Sequence, residues 1–226
     1  DQLKLDEIIG ELTTLQMPHG SLFDYFYDDN TKAWVKWEDV VPKYEQPNPF
    51  RFAKVLVPTT SSVIYTRILD LCYEANKPAL FVGESGTAKT VTIQNFLNTL
   101  DKKSNIQLGI NFSSRTNGND VYVNLNNCVD KRTSNIYGPQ SGMTLNMFVD
   151  DMSMPKIDLY GTQQPAAFLL LLLSRGCYYS KEKDLDLRLI RDVKYFGAMA
   201  PPGGGRNSID PRFAACFNVF NLNTPS

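Results

Sequence analysis

Eight residues in the first half of the chain have the types and the spacing of a phosphate-binding loop. A short apolar run at residues 79–82 precedes them, and Ile93, Phe96 and Leu97 follow at helical spacing. A loop between a strand and a helix directs backbone N–H groups and the positive helix terminus toward an anion. We therefore predict a nucleotide phosphate site formed by Gly83, Glu84, Ser85, Gly86, Thr87, Ala88, Lys89 and Thr90.

Two of these side chains are expected to contact the ligand directly. Lys89 would reach the β- and γ-phosphates of a nucleotide, and the Thr90 hydroxyl would ligate Mg²⁺. Ala88 stands where the pattern G-x-x-x-x-G-K-[ST] has glycine. Alanine suits the site if residue 88 already belongs to the first helical turn, as we expect, and is harmful only if a positive φ is needed there. The alternative, a chance Gly/Ser-rich turn, is disfavoured by the flanking strand and helix.

Two adjacent carboxylates follow a second hydrophobic run, residues 144–149. In a parallel sheet that includes the strand before the loop, the carboxyl ends of the strands lie at one edge, so Asp150 is expected beside Thr90. Asp150 would then organise Mg²⁺, and Asp151 would orient or deprotonate the attacking water. The alternative is that the paired acids cap the next turn, and their position downstream of a phosphate loop disfavours it.

The elements that must position these groups alternate between strand and helix along residues 51–226. This alternation predicts an α/β domain in which a parallel sheet lies between two layers of helices. Residues 1–50 are expected to form a separate region, with a helix over residues 1–18 that Pro18 and Gly20 end, a β-hairpin of alternating aromatic residues over 23–37, and a proline-rich connector.

Local patterns also predict how three further segments are placed. Thr60 or Ser61 is expected to cap a helix. The apolar face of that helix would comprise Ile64, Ile68, Leu71 and Cys72. Lys131 and Arg132 are expected near the end of a later helix, where basic residues complement the helix dipole. Residues 201–207, rich in proline and glycine, are expected to form a flexible loop at the sheet edge that carries the phosphate site.

Composition excludes several classes of function. The 226 residues include 23 basic and 24 acidic ones, a balance that gives no electrostatic footprint for direct nucleic-acid binding. Four dispersed cysteines and a single histidine argue against a zinc site or a disulfide framework and favour a cytosolic protein. The longest apolar run, residues 166–173, is too short to span a bilayer. We expect a soluble domain with no direct nucleic-acid or membrane partner.

Together with the loop, further segments resemble the AAA+ modules of dynein heavy chains, most closely the third module of axonemal dyneins. The resemblance covers most of residues 50–226 and is more specific than a phosphate loop alone. The segments that carry it are residues 81–90, Tyr137-Gly138-Pro139, residues 148–155, residues 160–165, Gly203-Gly204-Gly205-Arg206-Asn207 and Asp210-Pro211-Arg212-Phe213.

The resemblance implies a fold, ligands and partners. It implies the AAA+ large subdomain, a three-layer α/β/α structure with a five-stranded parallel sheet, and an adenine site lined by Val57, Pro58 and Thr59. The ligands would be ATP or ADP with Mg²⁺. The partners would be neighbouring modules of a six-module intramolecular ring and, through the intact motor, microtubules and other dynein subunits. The location would be the cytoplasm and cytoskeleton, in the axoneme of a cilium or flagellum.

The sequence departs from a complete ATPase of this kind in three ways. Asp151 stands where most AAA+ enzymes have glutamate, and Ala200 stands where most have a polar sensor, for which Asn207 is the expected substitute. The chain stops at Ser226, so the helical lid subdomain is expected to be absent.

The resemblance also implies a role for Arg212. This residue precedes the last strand, where such rings supply an arginine to the neighbouring site; an ordinary surface ion pair is the alternative.

Two functions remain open at this stage. The first is a regulatory nucleotide-binding module with slow or no hydrolysis, favoured by intact Lys89, Thr90 and Asp150. The second is a structural ring module with a degenerate site and no turnover, favoured by Asp151 and Ala200. A stand-alone GTPase is rejected because no Asn/Thr-Lys-x-Asp guanine reader follows the loop.

Overall fold

The structure, a computed structural model, describes residues 2–44, 57–181 and 185–223. Its chain divides into two compact units, Asp1–Ile68 and Leu69–Ser226. The boundary falls inside helix α2, because that helix runs from Thr60 to Glu74. The connector expected near residue 50 lies mostly outside the described residues, so the division at that position stays a prediction.

The smaller unit begins with helix α1 (Gln2–Leu12) and a two-stranded antiparallel sheet of β1 (Tyr25–Asp28) and β2 (Ala33–Lys36). This sheet confirms the hairpin that the alternating aromatic residues predicted. Short 3-10 helices flank it at Leu22–Asp24 and Trp37–Val40. Helix α1 is shorter than the helix predicted over residues 1–18, because it ends at Leu12. Just beyond, the Thr13 hydroxyl accepts a hydrogen bond from the Leu15 N–H, a local bond that competes with helix continuation.

The larger unit contains the predicted three-layer core. After α2 its elements are β3 (Ala79–Gly83), α3 (Lys89–Thr99), β4 (Asn105–Asn111), α4 (Gly118–Asn126), β5 (Asp130–Thr133), β6 (Ile136–Gly138), β7 (Thr144–Asp150), α5 (Gln164–Arg175), β8 (Cys177–Tyr179), β9 (Leu187–Ile190), β10 (Val193–Met199), α6 (Pro211–Ala214) and β11 (Asn218–Leu222). Among the described residues, five parallel strands form the central sheet in the order β11-β3-β10-β7-β4. This arrangement confirms the predicted α/β fold and the large-subdomain architecture.

Helices cover both faces of this sheet, which explains the nearly continuous burial of β7. Alternate side chains of a strand point to opposite faces. On one face, Met147 of β7 packs in a cluster with Leu125 of α4 and Leu169 of α5. On the other face, the ring of Phe96 on α3 lies 6.0 Å from that of Phe196 on β10. No helix in the described part of the chain has the length and apolar content needed to cross a lipid bilayer.

The apolar face of α2 differs in one residue from the sequence prediction. Cys72 is buried as expected, but Leu71 is 49% exposed, and Leu69 is fully buried instead. Positions 69 and 72 are three residues apart and share one helix face, whereas position 71 points away from it. The helix is also capped one residue earlier than expected. The Ser62 N–H donates to the Thr59 hydroxyl, and the Thr59 N–H donates to the Ser62 hydroxyl.

A second sheet that the sequence did not predict combines β5, β6, β9 and β8, in that order. Lys131 and Arg132 lie in β5, so their assignment to a helix end was wrong. Arg132 forms an ion pair with Asp192, and its guanidinium donates to the Pro139 carbonyl oxygen at 2.8 Å. This ion pair links the second sheet to Asp192, the residue just before β10.

Candidate functional site

The loop between β3 and α3 lies at the carboxyl edge of the central sheet, as predicted. Gly86 has a φ of 87° and Ala88 a φ of 59°, and Thr87 between them is buried. The Thr87 hydroxyl donates to the Glu84 carbonyl oxygen at 2.9 Å, which closes the loop on itself. Left-handed residues placed in this way produce the concave backbone that binds anions.

Ala88 corrects one sequence expectation. It is the N-cap of α3 with φ 59° and ψ 17°, which is left-handed backbone, and it does not belong to the first helical turn. A residue with a Cβ in this conformation costs about 1–2 kcal/mol relative to the right-handed one. The loop therefore keeps the geometry for which its family pattern uses glycine, at the expense of backbone strain.

Lys89 points its ammonium group into the loop. Its Nζ donates to the Glu84 carbonyl oxygen at 2.6 Å and to the Thr87 hydroxyl at 3.2 Å. Partial burial lowers the pKa of Lys89, the nearby Asp150 carboxylate opposes that effect, and the positive charge of Arg206 adds to it. The ammonium group is thus placed where a phosphate bound by the loop would meet it.

The structure brings Thr90 and Asp150 together, as the parallel sheet predicted. The Thr90 hydroxyl donates to Oδ2 of Asp150 at 2.8 Å, and the other carboxylate oxygen accepts the N–H of Asp151 at 3.0 Å. Burial raises the pKa of Asp150, and the hydrogen bond from Thr90 acts in the opposite direction. A partly buried carboxylate of this kind is stabilised by a nearby cation.

These two oxygen donors suit Mg²⁺, which proteins bind through one or two side-chain oxygens completed by substrate phosphates and water. Within the described residues, no group of three or more His, Cys, Asp or Glu side chains could hold a metal ion by itself. The donor set at Thr90 and Asp150 therefore fits a magnesium ion that arrives with a nucleotide.

Asp151 follows with left-handed backbone, at a φ of 54°. Aspartate tolerates this conformation better than most residues, and such strain often occurs at functional positions. The next residue fixes the chain direction, since the N–H of buried Met152 donates to the Ala198 carbonyl oxygen at 3.2 Å. The half-buried Asp151 is thereby held beside Asp150 at the end of the strand.

A cavity of about 300 Å³ brings these groups together, and its walls include Lys89, Thr90, Asp150, Asp151, Ala200 and Arg206. Larger cavities, of about 520 and 430 Å³, lie elsewhere in this unit and contain none of the loop residues. The functional groups that line a cavity therefore identify the candidate site better than the cavity volume does. Sequence reasoning missed Arg206 as a site residue, although its position after a strand that ends at this edge was a usable signal.

The remaining predicted residues are placed as follows. Ala200 is buried just after β10 and has no polar side-chain atom to offer. The amide nitrogen of the Asn207 side chain donates to the Pro155 carbonyl oxygen at 2.9 Å, and Asn207 is not part of the cavity wall. Arg212 is outside the cavity and pairs with Asp210 at 2.8 Å. Val57, Pro58 and Thr59 belong to the smaller unit, and their adenine-site role stays a prediction.

Comparison with known proteins gives a consistent family. A family model described as a P-loop containing dynein motor region matches residues 44–225. A second model, described as the dynein heavy chain AAA lid domain, matches residues 1–39.

Individual relatives point the same way. The chain is 48% identical over 211 residues, 93% of its length, to the dynein-1-alpha heavy chain of the flagellar inner arm I1 complex of Chlamydomonas reinhardtii. It is 43% identical to Homo sapiens dynein axonemal heavy chain 10, in an alignment that covers 100% of the chain. It is 35% identical over 91% of its length to the dynein gamma chain of the flagellar outer arm of Chlamydomonas reinhardtii. The chain spans 5% of the length of each of these relatives.

Proposed function

Because the chain belongs to the dynein heavy chain motor family, we propose that it is an AAA+ module that binds ATP or ADP with Mg²⁺ and regulates a motor. The observation that carries the proposal is the hydrogen bond between Thr90 and Asp150 beside the Lys89 ammonium group. These groups are the phosphate contact and the two magnesium-side oxygens of a P-loop nucleotide site. The family relationship confirms the dynein resemblance of the sequence; placement as the third module is part of this proposal.

Each side chain has a defined role in the proposed site. The backbone N–H groups of the loop and the amino terminus of α3 bind the phosphates, and Lys89 neutralises their charge. Thr90 and Asp150 hold Mg²⁺, which supplies charge neutralisation at the phosphate oxygens. Asp151 orients or deprotonates the water at the cavity wall.

Hydrolysis at this site is proposed to be slow or absent. Asp151 is one methylene shorter than the glutamate that most AAA+ enzymes use, and a displacement of about 1 Å at a catalytic group can cost roughly a hundredfold in rate. Ala200 lies in the cavity wall without a hydrogen-bonding side chain. The same two residues favour the second candidate function, a structural ring module without turnover.

The wider context is also part of the proposal. We place the module in an intramolecular ring whose neighbouring modules contact it directly. Microtubules and other dynein subunits are reached through the intact motor. The relatives named above are flagellar and axonemal heavy chains, which supports a cytoskeletal location in the axoneme of a cilium or flagellum.

Peptide-resolved hydrogen exchange in the full natural polypeptide that carries this sequence tests nucleotide binding at this site. MgATP or MgADP should slow exchange in peptides that cover residues 83–99. Lys89→Ala should abolish that protection while leaving the exchange of β3 and β7 unchanged, because Lys89 is a loop contact outside the core. The matched control is Lys131→Ala, an exposed lysine of β5. Equal protection in Lys89→Ala and the control would contradict the assignment.

The nucleotide recovered from the purified protein separates the two candidate functions. If wild type yields bound ADP that is missing from Lys89→Ala, the result supports a site that turns over. ATP recovered in that amount supports binding without cleavage, and no difference between wild type and Lys89→Ala supports a structural module.

A further inference from the structure

The glycine-rich segment after β10 forms a tight turn, in contrast to the flexible loop that its composition suggested. The N–H of Gly203 donates to the Arg206 carbonyl oxygen at 3.3 Å, and the N–H of Arg206 donates back to the Gly203 carbonyl oxygen at 3.1 Å. The central residues, Gly204 and Gly205, have φ values of 57° and 85°. Two consecutive positive φ values define a type I′ turn, which strongly favours glycine. The glycines therefore fix the backbone position of Arg206.

The residue after Arg206 anchors this turn to the segment that carries the acidic pair. The backbone N–H of Asn207 donates to the Ser153 carbonyl oxygen at 2.9 Å, and its side-chain amide donates to the Pro155 carbonyl oxygen at 2.9 Å. Ser153 and Pro155 are both buried and lie two and four residues after Asp151. Arg206 is thus held between a closed turn on one side and two hydrogen bonds to a buried segment on the other.

The side chain of Arg206 faces the candidate nucleotide cavity. It shares the cavity wall with Lys89, Asp150 and Asp151, and it is half-buried. Within the described residues, its guanidinium group has no hydrogen-bond acceptor and no ion-pair partner, although two carboxylates line the same cavity. An arginine positioned in this way has all five donors available to a ligand. Arginine also matches phosphate geometry through paired donors.

With two cations, the cavity can neutralise more phosphate charge than the loop alone can. Lys89 and the loop backbone form one wall, and Arg206 enters from the segment after β10, where Ala200 offers no polar atom. We propose that Arg206 recognises the terminal phosphate of a nucleoside triphosphate and so sets the preference of this site for triphosphate over diphosphate. This inference rests on the proposed nucleotide site and adds a specificity-determining residue to it.

The test compares triphosphate and diphosphate affinity in the full natural polypeptide. Protection of peptides over residues 83–99 is titrated with ATPγS and, separately, with ADP, both with Mg²⁺, in wild type and in Arg206→Ala. Hydrogen bonds to charged groups are worth enough that loss of the contact should weaken ATPγS binding by roughly 10- to 100-fold. ADP affinity should change by less than about threefold. Arg175→Ala, an exposed arginine at the end of α5, is the control.

The outcomes are distinct. A selective loss of ATPγS affinity supports the inference. An equal loss for both nucleotides, or no loss, overturns it while leaving the nucleotide site intact. No protection of wild type by either nucleotide overturns the proposed function itself. If faster exchange in β3 and β10 shows that Arg206→Ala is unfolded, Arg206→Gln, which keeps most of the side-chain length without the charge, is judged by the same criterion.

Discussion

The hydroxyl of Thr90 donates a 2.8 Å hydrogen bond to Oδ2 of Asp150, across 60 residues of sequence. Thr90 lies in the first turn of α3, and Asp150 ends β7, which is separated from β3 by β10. Because every strand of this sheet is parallel, their carboxyl ends share one edge. The order of strands therefore sets the distance between the hydroxyl and the carboxylate, and either group can be changed without removing core side chains.

Asp150→Asn should increase the thermal stability of the protein at neutral pH, measured without Mg²⁺ and nucleotide. Burial raises the pKa of Asp150 above its ordinary value of 3.8. The folded chain then binds the proton more tightly than the unfolded chain, so wild-type stability falls as pH rises through that interval. Asparagine carries no charge to bury and its oxygen still accepts the Thr90 hydrogen bond, but its NH₂ group cannot accept the Asp151 N–H, so the expected gain is what remains after that bond is lost.

A pH series of melting temperatures checks this prediction. The advantage of Asp150→Asn should be largest near pH 7 and should vanish below about pH 4, where the carboxyl group is protonated in both states. The control is Asp130→Asn, an exposed carboxylate of β5. A stability loss at pH 7 in Asp150→Asn alone would show that the ionised carboxylate is already compensated in the folded protein.

Ala88→Gly should raise the free energy of unfolding by up to about 1 kcal/mol. Glycine removes the left-handed penalty of about 1–2 kcal/mol. Its greater conformational freedom stabilises the unfolded chain, and this cancels part of the gain. Urea unfolding measures the difference. Ala167→Gly, at an exposed position inside α5, is the matched control and should lose about 1 kcal/mol. Equal losses at both positions would mean that residue 88 is helical in solution.

The parts of the site that could be predicted depend on local signals. The strand before the loop, the helical spacing of Ile93, Phe96 and Leu97, and the hydrophobic run ending at Asp150 each identify their element from neighbouring residues. Alternation of strands and helices then implies a parallel sheet, which places the acidic pair beside the loop.

The features that were missed depend on distant partners or on backbone conformation. Strands β6 and β9 pair in parallel although about fifty residues separate Ile136 from Leu189, and each has only three or four residues. So short a strand leaves little periodicity to detect. The left-handed backbone of Ala88 has no sequence signal except the missing glycine. Arg206 reaches the cavity because its turn is anchored by hydrogen bonds from Asn207 to Ser153 and Pro155, which lie far from it in sequence.

Asp151→Glu should increase ATP hydrolysis by this module, because the longer side chain restores the carboxylate reach that most AAA+ enzymes have. The gain should be several-fold or more in single-turnover assays of the full natural polypeptide. Asp151→Asn, which keeps the shape and removes the charge, should not increase the rate. If Asp151→Glu is as slow as wild type, Asp151 is not the limiting defect, and Ala200 becomes the residue to change.

Arg212→Ala should leave nucleotide affinity at Lys89 unchanged and reduce turnover at a neighbouring module. Arg212 lies outside the cavity of its own chain, and 81% of its side chain is exposed, so it is accessible to another module. An arginine supplied in trans can be worth about 10³ to 10⁵ in rate. Asp210 holds the guanidinium group at 2.8 Å, and an exposed pair of this kind contributes little to stability.

The companion variant Asp210→Asn separates a role in trans from an ordinary surface ion pair. Asparagine keeps the side-chain oxygen that caps α6 by accepting the Arg212 N–H, but it removes the charge that holds the guanidinium group. If Arg212 acts on a neighbour, Asp210→Asn should retain most of the neighbour's turnover whereas Arg212→Ala loses it. Module-resolved hydrolysis in the full natural polypeptide measures both variants. Unchanged turnover in Arg212→Ala would leave the residue as a partner of Asp210 alone.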